Sequence, residues 1–143
     1  MKLKQLSLFL ENKPGNVRQV CRTLADAGIN IETLTLADAS QYGILRLLVK
    51  DWDRAKDVFE KCGIAAHISD VVAVAIDHQP GGLVKVLDVL DEVGLNIEYM
   101  YGFVRPTGNA IIVFRLSDES DTVIESIISK GVRIVSRKEL FDA

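Results

Sequence analysis

The chain has 143 residues, of which 48% are hydrophobic, 26% charged and 6% aromatic, which is typical of one globular domain or two small ones and excludes a disordered chain. A formal net charge of −3 argues against a nucleic-acid partner, because such partners usually need a basic surface. The apolar runs reach about six residues, whereas a membrane helix needs about 20, so no membrane partner is expected. The N-terminus lacks a secretory signal, so we expect a cytoplasmic protein.

The first half of the chain alternates strand and helix patterns. A strand is predicted at Lys4–Leu10, a Pro-Gly loop at Asn12–Asn16, and a helix from Val17 to a left-handed stop at Gly28. The elements that follow are a strand at Ile29–Ala37, a turn at Asp38–Gly43, a strand at Ile44–Val49, a helix capped by Asp51 and ended by Gly63, and a strand at Ala65–Ile68.

The second half repeats this order of elements. Its predicted elements are a strand at Val71–Ile76, a helix at Gly82–Val93, strands at Leu95–Val104 and Ala110–Leu116, a helix at Asp118–Lys130 and a strand at Val132–Ser136. Each half therefore has the order β-α-β-β-α-β. With right-handed crossovers, this order gives a four-stranded antiparallel sheet with both helices on one face, so we predict an α+β protein of two ferredoxin-like units.

The two halves are also related in sequence, since residues 11–32 match residues 77–98 at a constant offset of 66. The offset rises to 68 further on, where Gly63 matches Gly131. Only Ser69-Asp70 remains as a linker. We therefore predict two domains, residues 1–69 and 70–143, packed side by side.

The loop between the first strand and the first helix of each repeat is the candidate ligand site. A helix N-terminus offers unpaired N–H groups to a carboxylate, and glycine allows a ligand to approach the backbone closely. Glu11 and Asn12 in one repeat, and Asp77 and His78 in the other, can accept hydrogen bonds from an ammonium group. This combination favours a free amino acid, although Pro-Gly can also be no more than a tight turn.

Asn30 and Asn96 follow the helix-ending glycines by two residues. Their amides can either reach a ligand beside the loop or suit the turn from helix to strand. Ile31 and Ile97 are expected in the core, and Tyr99, Tyr101 and Phe103 on one packed strand face. The predicted ligand-binding residues are Glu11, Asn12, Lys13, Pro14, Gly15, Asn16, Asn30 and Ile31 in the first repeat, and Asp77, His78, Gln79, Pro80, Gly81, Gly82, Asn96 and Ile97 in the second.

No metal, cofactor or catalytic group is predicted. Cys21 and Cys62 form neither a CxxC pair nor a disulfide framework, and we expect both to be small buried hydrophobic residues. His67 and His78 are not at ligand spacing from a cysteine. The chain has no recognisable Ser/His/Asp set, acid–base carboxylate pair or cofactor motif.

Each repeat reads strand–[ED]-x-x-P-G–helix–G-x-N-I-E–strand and resembles the ACT domain, the amino-acid-sensing module of regulated metabolic enzymes. The resemblance covers nearly the whole chain, twice. Residues 7–40 also resemble the start of the acetohydroxyacid synthase regulatory small subunit. The second half departs from that subunit because it keeps its own Pro-Gly loop and Asn-Ile-Glu segment, which favours a stand-alone tandem protein.

The resemblance implies further features. In serine-sensing ACT domains, one asparagine two residues before Pro-Gly and another in the G-x-N-I segment contact the amino acid. These positions are Asn12 and Asn30 in the first repeat, and His78 and Asn96 in the second. ACT domains also pair through edge strands, with the ligand between the loop of one domain and the second strand of its partner. A homodimer is therefore expected.

Three functional hypotheses follow. The first is a non-catalytic regulatory protein that binds a free amino acid. The second is a regulatory subunit of a biosynthetic enzyme such as acetohydroxyacid synthase, which would require that enzyme as a partner. The third, an enzyme on a ferredoxin-like scaffold, has no catalytic motif in its favour.

Overall fold

The computed structural model describes residues 1–37 and 40–142, so part of the predicted turn at Asp38–Gly43 lies outside the described residues. The chain divides into two compact units. One is Lys4–Ser69, and the other is Asp70–Ala143 together with Met1–Leu3. The elements are β1 (Leu3–Glu11), α1 (Asn16–Asp26), β2 (Thr33–Ala37), β3 (Tyr42–Leu48), α2 (Trp52–Lys61), β4 (His67–Asp77), α3 (Gly82–Val93), β5 (Ile97–Val104), β6 (Asn109–Leu116), α4 (Asp121–Ser129), β7 (Arg133–Val135) and α5 (Arg137–Asp142).

In the unit Lys4–Ser69, β3 pairs antiparallel with both β1 and β2. Leucines that face each other across these pairs, such as Leu8 and Leu45, lie on the same side of the sheet and are fully buried. Both helices pack against this side. The core consists of Leu6, Leu8, Val20, Leu24, Ile29, Leu45, Leu47, Val49, Ala55 and Phe59.

In the unit containing Asp70–Ala143, the antiparallel strand order is β7-β4-β6-β5. Helices α3 and α4 contact each other, and both pack on one side of this sheet. The core consists of Val72, Val74, Val86, Leu90, Phe114, Leu116, Ile124, Ile127, Val132 and Ile134. The α+β class and the ferredoxin-like units are therefore confirmed.

Several predicted boundaries are wrong. The predicted strand at Ala65–Ile68 begins two residues too early, and its last two residues form one uninterrupted strand, β4, with the predicted strand at Val71–Ile76. The predicted linker Ser69-Asp70 lies inside this strand. Neither of these two residues prevents an extended backbone. Helix α5 was not predicted because six residues are too few to show a helical period.

The second strand of each repeat begins later than predicted. Ile29 N donates to Leu24 O at 2.9 Å, and Leu95 N donates to Leu90 O at 2.9 Å. Ile29 and Leu95 therefore complete the ends of α1 and α3, and the strands start at Thr33 and Ile97. Gly28, with φ of 71°, confirms the predicted left-handed stop.

Candidate functional site

The two Pro-Gly loops have the same backbone geometry. Gly15 has φ of 90° and Gly81 has φ of 86°, a left-handed conformation that favours glycine. Among the residues that the structure describes, no side chain caps α1 or α3. The first helical bond in α1 runs from Gln19 N to Gly15 O at 2.9 Å. Asn16 N and Gly82 N donate within the turns, to Lys13 O and Gln79 O, so the amides that follow them in the first turn are the ones available to an anion.

The base of each loop is closed in a different way. In the first repeat, Asn16 Nδ2 donates to Glu11 O at 2.8 Å. In the second, the equivalent residue is Gly82, and a Cβ there would lie 2.1 Å from Asp77 O. Asn16 and Gly82 therefore shape their loops, and Gly82 is needed because the backbone approaches so closely.

A cavity of about 250 Å³ opens beside the first loop. It contains Glu11, Asn12 and Lys13 from the predicted set. Five further residues in the described part of the chain line it and were missed by sequence reasoning: Leu10, Val17, Leu36, Ala37 and Gly43. Of these five residues, only Leu10 was indicated by the sequence, because it alternates with Leu6 and Leu8 on one face of the predicted first strand. The contributions of β2 and β3 depend on strand register, which the sequence does not reveal.

The cavity has a polar rim and an apolar wall. Glu11 Oε2 and Lys13 Nζ form an ion pair at 2.6 Å, and both side chains are exposed. The hydrogen bond to Glu11 and the charge of Glu11 raise the pKa of Lys13 above its ordinary value. Leu10, Val17 and Leu36 supply the apolar wall. An anionic, a cationic and an apolar group of one ligand can each find a counterpart here.

Gly43 keeps this cavity open. A Cβ at this position would lie 3.1 Å from Leu36 Cδ1 and 3.4 Å from Ala37 O. Any larger side chain would therefore crowd the wall that β2 provides. Glycine is favoured at this position because a side chain would lack room, and not because the backbone is left-handed.

The other predicted residues of the first repeat do not line this cavity. Asn30 is exposed and precedes β2 by three residues, and Ile31 packs against the core as expected. Pro14 and Gly15 form the turn itself. Contact between Asn30 and a ligand stays a prediction.

The second repeat places its cavity differently. This cavity has a volume of about 350 Å³ and lies between β4, α3 and the turn that joins α4 to β7. Of the predicted residues, Asp77 and Gly82 line it, whereas His78, Gln79, Pro80 and Gly81 do not. Asn96 N donates to Ser117 Oγ at 3.1 Å at the start of β5, and the half-buried Ile97 packs against the core.

The cysteine prediction is partly wrong. Cys62 is exposed, because it is the residue that follows the last turn of α2, and Cys21 is half-buried. In the described part of the chain, no group of three or more His, Cys, Asp or Glu residues could hold a metal ion. None of the described helices has the length and hydropathy of a membrane-spanning segment.

The two ferredoxin-like units, each with a Pro-Gly loop ahead of an uncapped helix, define a tandem α+β protein. The family model of the ACT domain pair matches residues 1–143, and the chain belongs to this family. No functionally curated protein matches it.

Solved structures agree with this assignment. A protein from Bacteroides thetaiotaomicron is 38% identical and has a TM-score of 0.92, with 100% of this chain and 98% of that chain covered. The ligand-free regulatory subunit of aspartate kinase from Thermus thermophilus is 18% identical, with a TM-score of 0.66 and coverage of 90% and 92%. Its counterpart from Thermus flavus is 17% identical, with a TM-score of 0.60 and coverage of 89% and 91%. These two similarities show the fold.

Proposed function

We propose that this chain is a non-catalytic, cytoplasmic regulatory protein that binds a free amino acid beside its first Pro-Gly loop. Membership in the ACT domain pair family supports a regulatory, ligand-binding role. The cavity that combines Glu11, Asn12 and Lys13 with an apolar wall carries the proposal. In this account, residues 1–69 and 70–143 are the two ACT domains, and neither performs catalysis.

Each group of the amino acid has a counterpart in the cavity. The ligand carboxylate lies against the uncapped start of α1 and near Lys13 Nζ. The ligand ammonium lies against the Glu11 carboxylate and the Asn12 side chain. The ligand side chain packs on Leu10, Val17 and Leu36, so we infer that an apolar amino acid binds best.

The edge strands support the expected homodimer. Among the described residues, β2 pairs with β3 alone, and β5 pairs with β6 alone. Each strand therefore leaves one edge available for a second copy of the chain. Because β2 also contributes Leu36 to the cavity, pairing at this edge would bring a partner strand next to the ligand.

A regulatory subunit of a biosynthetic enzyme is the second candidate. The resemblance of residues 7–40 to the acetohydroxyacid synthase regulatory subunit favours it. Both candidates bind an amino acid, but only this one requires a catalytic partner. Affinity purification of the tagged chain from its own cells separates them: stoichiometric recovery of a biosynthetic enzyme would support the second candidate.

A thermal-shift screen of the twenty amino acids tests the proposal. A ligand at about one hundred times its dissociation constant adds about 2.7 kcal/mol to stability, which raises the Tm of a chain of this size by about 5–10 °C. We expect apolar amino acids to give the largest shift. If none of the twenty shifts the Tm above noise, the proposal is wrong.

A further inference from the structure

The cavity in the unit that contains Asp70–Ala143 is lined by three cationic side chains. Lys85 lies on α3, and Lys130 and Arg133 flank the turn between α4 and β7. Among the lining residues that the structure describes, Asp77 alone is acidic. This local excess of positive charge stands out in a chain whose net charge is −3.

The fold itself does not require these cations. The sequence offsets between the repeats, 66 in the helix and 68 at the later turn, give the equivalent positions in the first repeat. The residues there are uncharged: Gln19, Cys62 and Ala65. Both repeats form the same ferredoxin-like unit, so the shared fold does not depend on the three charges.

The cations retain donors for a ligand. Lys130 Nζ lies 2.7 Å from Glu92 Oε1, and Arg133 Nη2 lies 3.1 Å from Glu139 Oε2. Neither glutamate lines the cavity, and an ammonium has three donors and a guanidinium five. Within the described residues, the Lys85 side chain has no ion pair or hydrogen bond.

Other donors and an apolar wall surround the same space. Helix α3 starts at Gly82 on the cavity wall, without a side-chain cap and without a Cβ to screen its first turn. The Asn109 side chain, on β6, carries an amide group. Apolar residues, among them Val86, Val89 and Val132, line the rest of the wall, which lowers the local dielectric and strengthens charge interactions.

We propose that this cavity binds a compact dianion, either a phosphate monoester or a dicarboxylate, as a second ligand that is independent of the amino acid. The cations and the start of α3 attract two negative charges. A free amino acid is disfavoured because its ammonium group would face three cations. The two units thus bind ligands of different charge.

The test is an NMR titration of the full, ¹⁵N-labelled chain with inorganic phosphate and, separately, with succinate. We expect saturable shifts of the amide signals of Gly82, Lys85 and Gly131, with a dissociation constant on the order of 1 mM. Lys85→Gln and Arg133→Gln should each weaken binding about three- to tenfold. Lys138→Gln, which removes the same charge in the same unit outside the cavity, should change affinity less than about twofold.

Saturation by phosphate alone supports a phosphate monoester, and saturation by succinate alone supports a dicarboxylate. Saturation by both supports a general dianion site. The proposal is overturned if neither probe gives saturable shifts at these amides, or if Lys138→Gln weakens binding as much as the cavity variants. Amino-acid binding is followed by the amide signal of Asn12 in the other unit. A failure of the amino acid to bind is therefore distinguishable from a failure of the dianion to bind.

Discussion

Gly82 shows how a single missing side chain fixes a loop. Gly82→Ala would place a Cβ 2.1 Å from Asp77 O, so the backbone of α3 or β4 must move. We expect a loss of about 1–3 kcal/mol in the free energy of unfolding, measured by urea denaturation. Val84→Ala, at a position on the same helix that is 55% exposed, is the control and should cost less than about 0.5 kcal/mol. Equal stability of Gly82→Ala and wild type would contradict the packing described here.

Glu119 makes stability depend on pH. Its side chain is only 6% exposed, and burial raises its pKa although Leu116 N and Arg115 donate to the carboxylate. Because the pKa of Glu119 is higher in the folded state than in the unfolded state, protonation of this carboxyl stabilises the fold. This stabilisation is complete below the unfolded pKa of about 4.5, and it is lost as the pH rises through the folded pKa.

A comparison of wild type with Glu119→Gln tests the direction in which the stability contribution of Glu119 changes with pH. The stability of wild type relative to the variant should increase as pH falls from 7 towards about 4.5. Chemical denaturation at several pH values measures the difference. Glu125→Gln, which removes the same charge from an exposed position on α4, is the matched control. A wild-type advantage that grows with rising pH would refute this assignment.

At the scale of elements, the polar N-cap residues of α2 and α4 are not equivalent. Ser120 Oγ accepts a hydrogen bond from Val123 N at 3.4 Å and caps α4, which therefore starts later than the predicted Asp118. Asp51 occupies the N-cap position of α2 as predicted, but its side chain makes no capping bond.

Ser120→Ala should therefore destabilise the protein by about 1 kcal/mol, because an orphan amide loses its partner. Asp51→Ala should cost about half as much or less, since only the charge at the start of the helix is lost. Thermal unfolding followed by circular dichroism compares the two. A larger loss for Asp51→Ala would show that the caps are assigned wrongly.

Most elements were predictable because their periodicity is strong. Helix α3 was predicted at its observed bounds, since its apolar residues repeat at helical spacing and Gly94 ends it. The start of β2 was missed because Ile29 reads equally well as a strand residue and as the residue that closes α1. Strand propensity alone does not separate these roles.

The candidate sites were predictable only in part. The Pro-Gly motif located Glu11, Asn12 and Lys13, which line the first cavity. Leu36 and Gly43 were missed because they reach the cavity through strand pairing, and the cationic turn at Lys130–Arg133 was missed because it lies far in sequence from the second loop.

At the scale of the whole molecule, one chain carries two units with the same backbone plan and different cavities. The first cavity combines charges of both signs with an apolar wall, and the second is mainly cationic. The loop geometry is common to both repeats, but the two cavities are lined by different elements and therefore differ in position as well as in charge. The central claim is that the first cavity binds an apolar amino acid.

Calorimetric titration of the amino acid that gives the largest thermal shift tests this claim most directly. Asn12→Ala should weaken binding about ten- to one-hundredfold, because a hydrogen bond to a charged group is lost. Leu36→Ala should weaken it about fivefold or more through the loss of apolar contact. Leu34→Ala, at an exposed position on the same strand outside the cavity, should bind as wild type does. Equal affinity of wild type, Asn12→Ala and Leu36→Ala would contradict the account.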